Sequence, residues 1–180
     1  PDSSGVHFRT LGWTVAPDDL FFDVKGKDTR LLIIESARSP FVKAPVSDTK
    51  KIVFYRLVPG PDDALVREEA AVADVSAAGA WPLLIFTPDP KSAKRYQVIA
   101  ISDDLKAFPF PSCRFINLTP VNLFGKYGDQ KLNLAANGFL QIDPQLKSPT
   151  DVETRYTVVS MSTPKGPRLL YSNNWAVRPT

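Results

Sequence analysis

Seventeen prolines are spread along the 180 residues of this chain, and they limit every regular element to a short length. Proline breaks the interior of an α-helix and is excluded from the central strands of a sheet. The segments between the prolines are rich in aromatic and β-branched residues, which favour strands, and none carries a clean amphipathic helical pattern. The sequence therefore predicts an all-β fold with many turns.

The size and composition are those of an ordinary globular domain. Hydrophobic residues make up 43% and charged residues 23% of the chain, and a chain of this length can bury a sizeable core. We expect residues 1–5 to form a flexible lead-in and residues 6–180 to form a single β-sandwich domain.

Short apolar segments separated by turn residues predict about ten strands, a pattern typical of a sandwich or barrel. A further segment, 63–80, is predicted as an extended strand with a short helix as the alternative. Loops at 88–94 and 163–167 predict hairpins, and Asn137-Gly138 predicts a tight hairpin between two short strands within 131–143. The other predicted strands are 6–15, 20–24, 30–35, 51–58, 81–87, 95–102, 112–123, 153–162 and 168–177, with 41–42 at most a short edge strand.

Residues 112–123 form the longest stretch that reads as a buried strand, and we expect the neighbouring strands to pack around it. The predicted core residues are Phe115, Ile116 or Leu118, Ile33, Phe54, Leu84, Phe86, Val98, Ile99 and Val158.

Side chains for triad or transition-metal chemistry are scarce. His7 is the single histidine and Cys113 the single cysteine, whereas triads usually need a histidine and zinc sites recruit several His or Cys ligands. We interpret His7 as structural or exposed and Cys113 as a buried, inert thiol. No catalytic residue, metal ligand or cofactor is predicted.

The carboxylates leave two alternatives open. The pairs Asp18-Asp19, Asp62-Asp63 and Asp103-Asp104 fall in predicted loops, where they are typical turn residues but would also suit Ca²⁺. Glu68-Glu69 and Glu153 would have to converge to act as a glycosidase pair. Nothing in the sequence indicates that two such carboxylates face each other across a cleft in the folded chain.

The formal net charge of +3 is dispersed rather than concentrated in a basic block, which argues against nucleic acid as a partner. The tryptophans and tyrosines are the remaining candidates for ligand or partner contacts, although most tryptophans in a sandwich fill the core. The candidate contact residues are Trp13, Trp81, Trp175 and Tyr127.

The stretch from Arg114 to Pro120 (RFINLTP), followed by Val121 and Leu123, resembles a strand of immunoglobulin-like bacterial envelope domains, among them periplasmic pilus chaperones and small secreted β-sandwich modules. The resemblance covers about a dozen residues. It implies an immunoglobulin-like β-sandwich of about eight to ten antiparallel strands, located in the periplasm, at the cell surface or outside the cell.

The leading functional hypothesis is a non-catalytic structural or protein-interaction domain of the cell envelope or extracellular space, within a surface or pilus-like assembly. Its partner would be another envelope protein or a glycan, and a membrane anchor upstream of Pro1 is compatible with the sequence. The alternatives are a carbohydrate-binding module using surface aromatics and a carboxylate-only hydrolase. The single cysteine allows no internal disulfide, which fits the cytosol as well as an envelope protein without disulfides.

Overall fold

The computed structural model describes residues 5–45, 48–144, 146, 150 and 152–178. The predicted all-β fold is confirmed: the described residues form fourteen strands, more than the eight to ten expected, and no α-helix. Of the predicted lead-in, residues 1–4 lie outside the described residues, and Gly5 begins the first strand. The strands are β1 (Gly5–Gly12), β2 (Phe21–Val24), β3 (Lys27–Arg30), β4 (Val42–Pro45), β5 (Lys51–Pro59), β6 (Leu65–Asp74), β7 (Pro82–Asp89), β8 (Ser92–Ser102), β9 (Cys113–Ile116), β10 (Leu123–Tyr127), β11 (Gln130–Leu134), β12 (Phe139–Ile142), β13 (Glu153–Thr163) and β14 (Gly166–Val177).

The chain groups into two compact units, Pro1–Ala107 and Phe108–Thr180, where the sequence analysis placed residues 6–180 in one domain. The first unit holds two four-stranded sheets, ordered β4-β1-β7-β8 and β3-β2-β5-β6. The second holds a four-stranded sheet, β11-β10-β13-β14, and the two-stranded pair β12-β9. The immunoglobulin-like arrangement stays a prediction.

Residues from both sheets of the first unit meet in one core. Phe8 of β1 and Phe86 of β7 both pack edge-on against Phe54 of β5, at centroid distances of 6.1 and 5.2 Å. Alternate residues of a strand face opposite sides of its sheet, and β1 buries every second residue accordingly. The pairing of β1 with β7 is parallel, so the expectation of an entirely antiparallel fold is wrong at this pair.

The core of the second unit is smaller. Its buried members come from β10, β11, β12, β13 and the end of β14 and include Tyr127, Leu132 and Val159. Phe115 of β9 is half-buried and packs against this cluster, with its ring 5.4 Å from that of Tyr127.

The prediction of a long buried strand over 112–123 is wrong. Cys113–Ile116 is a strand of the two-stranded sheet, residues 117–122 are not in a strand, and Leu123 begins β10. Strand structure stops because the Asn117 side chain turns the backbone. Its Oδ1 accepts hydrogen bonds from Thr119 N and Oγ1, while its Nδ2 donates to the carbonyls of Val121 and Ala135. This is the local amide capture that makes Asn a turn residue.

The Asn137-Gly138 turn exists, but it does not close a hairpin. The strand before it, β11, pairs with β10, and the strand after it, β12, pairs with β9. Asn137 N donates to the carbonyl of Thr119, and Asn117 N donates to that of Gly138. The turn is therefore attached to the segment that Asn117 folds, and it directs the chain from one sheet into the other.

Segment 30–35 is not a continuous strand either. Its apolar residues do alternate, with Leu31 and Ile33 buried and Leu32 exposed. However, its backbone bonds go to separate partners: Leu31 N donates to Leu20 O, and Ile34 O accepts from Gly12 N. Residues 31–34 thus lack the ladder that defines a strand.

Several other expectations are confirmed. The hairpins β7–β8 and β13–β14 form, and the ambiguous segment 63–80 contains strand β6 rather than a helix. Of the predicted core, four residues are buried: Ile33, Phe54, Leu84 and Phe86. The others are half-buried, and in β13 the buried valine is Val159 rather than Val158.

Candidate functional site

Strand β14 is the most exposed long element of the second unit. It is the last strand of its sheet and pairs with β13 along one edge, while no strand among the described residues pairs with its other edge. All ten residues 167–176 are exposed. Because successive side chains point to opposite faces of a sheet, neither face of β14 is covered until Val177 enters the core.

The side chains of β14 are mostly apolar or uncharged. Four of its exposed large apolar residues are Leu169, Leu170, Tyr171 and Trp175. Natural edge strands are usually protected by proline, charge or a bulge. In β14 these features all fall near its start, as Pro167, Arg168 and an irregular register at Leu170. Residues 171–177 carry no such protection.

The backbone of Asn174 shows which amides face the open edge. Asn174 N donates to the side-chain Oδ1 of the preceding Asn173 at 2.8 Å, so a neighbouring side chain satisfies it instead of β13. Backbone groups alternate in direction along a strand, and therefore Ser172 and Ala176 present their amides to the same open edge.

A second exposed surface lies in the first unit around Trp81. Its indole stacks on the imidazole of His7, with centroids 4.6 Å apart and an interplanar angle of 18°. The ring of Phe41 meets it edge-on at 5.2 Å, and the guanidinium of Arg9 lies 4.7 Å from the centre of the Phe41 ring. Trp81 and Phe41 nevertheless keep 40% and 45% of their surface exposed.

The buried carboxylate of Asp103 pairs with two arginines of this surface. Its side chain is only 2% exposed; Oδ2 accepts a hydrogen bond from Arg9 Nε, and Oδ1 lies 3.3 Å from Arg38 Nη2. The amide of Asp103 donates to the carbonyl of Trp81 at 2.9 Å. One buried residue thus fixes both guanidinium groups and the backbone that carries the indole.

The segment that carries Arg38 and Phe41 is tied to β1 through the buried Thr10. Thr10 N donates to Ser39 Oγ, and Ser39 N donates back to Thr10 O, both at 2.9 Å. His7 N donates to the carbonyl of Ala80. We define the aromatic–arginine surface as His7, Arg9, Arg38, Phe41 and Trp81 over Asp103.

A groove of about 460 Å³ on the first unit contains a network around Tyr55. The Tyr55 hydroxyl donates to Asp28 Oδ1 at 2.7 Å, and Arg67 Nη2 lies 2.7 Å from Asp28 and 2.9 Å from Asp23. Burial, and next the hydrogen bond to the Asp28 carboxylate, raise the pKa of Tyr55 to about 12. The amide of Gly26 and the Arg67 guanidinium lower the pKa of Asp23.

A general acid needs a carboxyl whose pKa is raised, whereas the pKa of Asp23 is lowered. Asp23 and Asp28 both pair with the Arg67 guanidinium. Two of the three glutamates weighed in the sequence pair with arginines: Glu69 with Arg95, and Glu153 with Arg155 at 2.7 Å. Among the described residues, no group of three or more His, Cys, Asp or Glu side chains is placed to hold a metal ion.

The four predicted contact residues are divided between the two compact units. Trp13 and Trp81 belong to the first unit, and Trp175 and Tyr127 belong to the second. All three tryptophans are exposed, contrary to the expectation that most would fill the core. Tyr127 is buried, and its hydroxyl lies 3.2 Å from Cys113 Sγ, so it faces the core rather than the surface. Burial, followed by the hydrogen bond to Cys113, raises the pKa of Tyr127.

Sequence reasoning missed the partners of Trp81. Arg9 and Asp103 are 94 residues apart, and no local pattern joins them. For β14 a signal was present: the adjacent apolar residues Leu169, Leu170 and Tyr171 break the alternation expected of a strand with one solvated face.

No protein-family model and no curated protein matches this chain in sequence. In the part of the chain that the structure describes, no helix is both long enough and apolar enough to cross a membrane.

Proposed function

We propose that this chain is a non-catalytic protein-interaction domain that assembles by accepting a strand from another protein at the open edge of β14. The observation that carries this proposal is the exposure of residues 171–176 on both faces, beside an edge with which no strand among the described residues pairs. An exposed, uncharged edge is a template for strand addition, and natural proteins normally protect it.

The Asn173 side chain supports a role for this edge in binding. Its Oδ1 accepts from the open-edge amide of Asn174 in the place where a partner's carbonyl would accept. Such a contact satisfies the amide in the unbound chain and can be exchanged for a backbone bond at little net cost, because one hydrogen bond replaces another. The partner would be a further envelope or extracellular protein within an assembly, in line with the location outside the cytoplasm that the immunoglobulin-like resemblance implies.

Proline substitutions at two neighbouring positions test the proposal. Asn174→Pro removes an amide that points away from β13, so the hairpin should form, while an added strand loses one donor and meets the proline ring. Asn173→Pro removes the amide of the adjacent residue, which points toward β13, and should lower the melting temperature. Both variants and the unaltered chain are tagged and recovered from the native host, and their co-purifying proteins are compared quantitatively.

The expected result is a defined set of partners lost with Asn174→Pro, although its thermal stability and circular dichroism are unchanged. Trp175→Lys should lose the same set, whereas Trp13→Lys, an equally exposed tryptophan of the first unit, should keep it. Partners that remain with both Asn174→Pro and Trp175→Lys would contradict strand addition at this edge.

A further inference from the structure

We propose that the strand accepted at the open edge of β14 is amphipathic and acidic. It presents apolar side chains at alternate positions beside Tyr171 and Trp175, and a carboxylate beside Arg168. This inference rests on the proposed function and names the chemistry of the partner that this edge selects.

One face of β14 continues the core side of its sheet. Residues that lie directly opposite each other in an antiparallel pair share a face, and Tyr171 lies opposite Val159, a buried core residue of β13. Trp175 and Val177 follow Tyr171 at alternate positions on that face, and Val177 is again part of the core. Val159 is 7% exposed, whereas Tyr171 and Trp175 are 39% and 47% exposed. The core side therefore ends at β14 with two large rings in contact with solvent.

An added strand would continue the same alternation of side chains. Apolar side chains on its core side would pack beside Tyr171 and Trp175 and remove part of both rings from water. The opposite face of β14 carries Ser172 and Asn174, and the Ser172 hydroxyl lies 2.9 Å from that of Tyr156. Polar side chains of the partner suit this second face. The partner strand is therefore apolar on one face and polar on the other.

The charges of β14 select an acidic partner. Residues 164–178 contain Lys165, Arg168 and Arg178 but no aspartate or glutamate. Arg168 lies opposite Met161, which packs against the core, so its side chain is on the core side. In the part of the chain that the structure describes, no carboxylate forms an ion pair with Arg168. A carboxylate of the added strand would supply that pair, and a cation in its place would be repelled.

A second copy of the chain suits this edge less well. Pairing two β14 strands would bring together two edges whose only charges are positive, and like charges on adjacent strands are destabilising. The positive charge at β14 thus favours a different, acidic chain over self-association.

Three synthetic peptides with acetylated and amidated ends test the chemistry of the partner. The first, ETVTVTVTE, alternates in polarity and has a carboxylate at each end, so it suits parallel and antiparallel addition alike. The second, KTVTVTVTK, reverses the charge. The third, ETTVVVTTE, has the composition of the first but divides its valines between both faces. Each is titrated into the purified chain, and NMR spectra give the dissociation constant and the hydrogen exchange of single amides.

We expect ETVTVTVTE to bind about five times more tightly than KTVTVTVTK, because an opposite charge replaces a like charge beside Arg168. The factor should shrink as salt screens the charges. ETTVVVTTE should bind more weakly than ETVTVTVTE, since it leaves Tyr171 and Trp175 partly uncovered. Bound ETVTVTVTE should protect the amides of Ser172, Asn174 and Ala176.

Two variants assign the charge preference to β14. Arg168→Glu should remove the preference for glutamate ends over lysine ends. Lys91→Glu makes the same change in net charge at the exposed turn between β7 and β8 and should keep the preference. Circular dichroism checks that both variants are folded.

Four results would overturn the proposal. They are equal affinity for glutamate and lysine ends, equal affinity for ETVTVTVTE and ETTVVVTTE, no binding of any peptide at millimolar concentration, and a purified chain that dimerises through β14. Strand addition itself is decided separately: partners from the host that are lost with Asn174→Pro would still support it where the peptides show no preference.

Discussion

At the scale of single residues, Asn117 holds three parts of the second unit together. Its side chain joins the turn at Thr119 and Val121 to the end of β11 at Ala135. Asn117 is 1% exposed, so solvent water cannot reach its side chain to replace these partners. Removing a buried polar side chain leaves its former hydrogen-bond partners unsatisfied, and this lowers the free energy of unfolding.

We expect Asn117→Ala to lower the free energy of unfolding by about 2–4 kcal/mol, because several buried backbone groups lose their partner together. Asn122→Ala is the matched control: Asn122 is exposed and accepts one bond, from Ala136 N, and its loss should cost less than about 1 kcal/mol. Urea denaturation followed by circular dichroism gives both values. Equal losses in the two variants would contradict the role assigned to Asn117.

Tyr55 makes the free energy of unfolding of the first unit fall as the pH rises in the alkaline range. Its pKa is about 12 in the folded chain and about 10 in an unfolded chain. The folded state therefore holds the proton more tightly. Its contribution to stability is complete below pH 10 and is lost as the pH rises from 10 to 12.

We expect the unaltered chain to lose about 2 kcal/mol more than Tyr55→Phe between pH 9 and pH 12, because the variant has no phenol to ionise. Denaturation curves at several pH values measure the difference. Parallel pH profiles for the two proteins would show that the Tyr55 hydroxyl does not hold its proton as the hydrogen bond to Asp28 implies.

At the scale of secondary-structure elements, the sequence predicts those strands and hairpins whose turns depend on neighbouring residues. Hairpins joined by local turn residues, such as β13–β14 with Pro164 and Gly166 at its tip, follow from composition alone. The long strand over 112–123 was predicted wrongly, whereas in 131–143 both strands and the turn were predicted and only their pairing as a hairpin was wrong. Both errors arise because Asn117 bonds to distant backbone. Apolar residues recur on both sides of such a turn, so the hydrophobic pattern of the sequence does not indicate where the strand ends.

Strand β10 depends on a glycine in its interior. A Cβ at Gly125 would lie 1.8 Å from the carbonyl oxygen of Val158 in the paired strand β13. This is a steric clash, and the two backbones would have to move apart to relieve it. Glycine inside a strand often marks such a close approach.

We expect Gly125→Ala to destabilise the second unit by about 3 kcal/mol through this overpacking. Gly138→Ala, where the nearest atom to the new Cβ is 3.3 Å away, should cost less than about 1 kcal/mol by comparison. Thermal melts of the two variants make the comparison. A Gly125→Ala chain as stable as the unaltered one would mean that β10 and β13 are not paired in this register.

At the scale of the whole molecule, the all-β class was predictable because prolines and β-branched residues act locally along the entire chain. The grouping into two compact units was not predicted, because both units use the same short strands and turns, and the connection at the boundary, with Pro109 and Pro111, resembles the other proline-containing turns of the chain. The exposed surfaces at β14 and around Trp81 have the same origin. They depend on which strand is last in its sheet and on which distant residues meet, as Arg9 and Asp103 do.

The central claim is that the open edge of β14 receives a strand, and hydrogen exchange at its backbone amides tests this most directly. In the isolated chain, we predict that the amides of Ser172, Asn174 and Ala176 exchange much faster than those of the residues between them, which face β13. In the chain recovered with its partner, the same three amides should become protected while the alternate ones change little. Protection of all of these amides in the isolated chain, or continued fast exchange of these three in the assembly, would contradict the account.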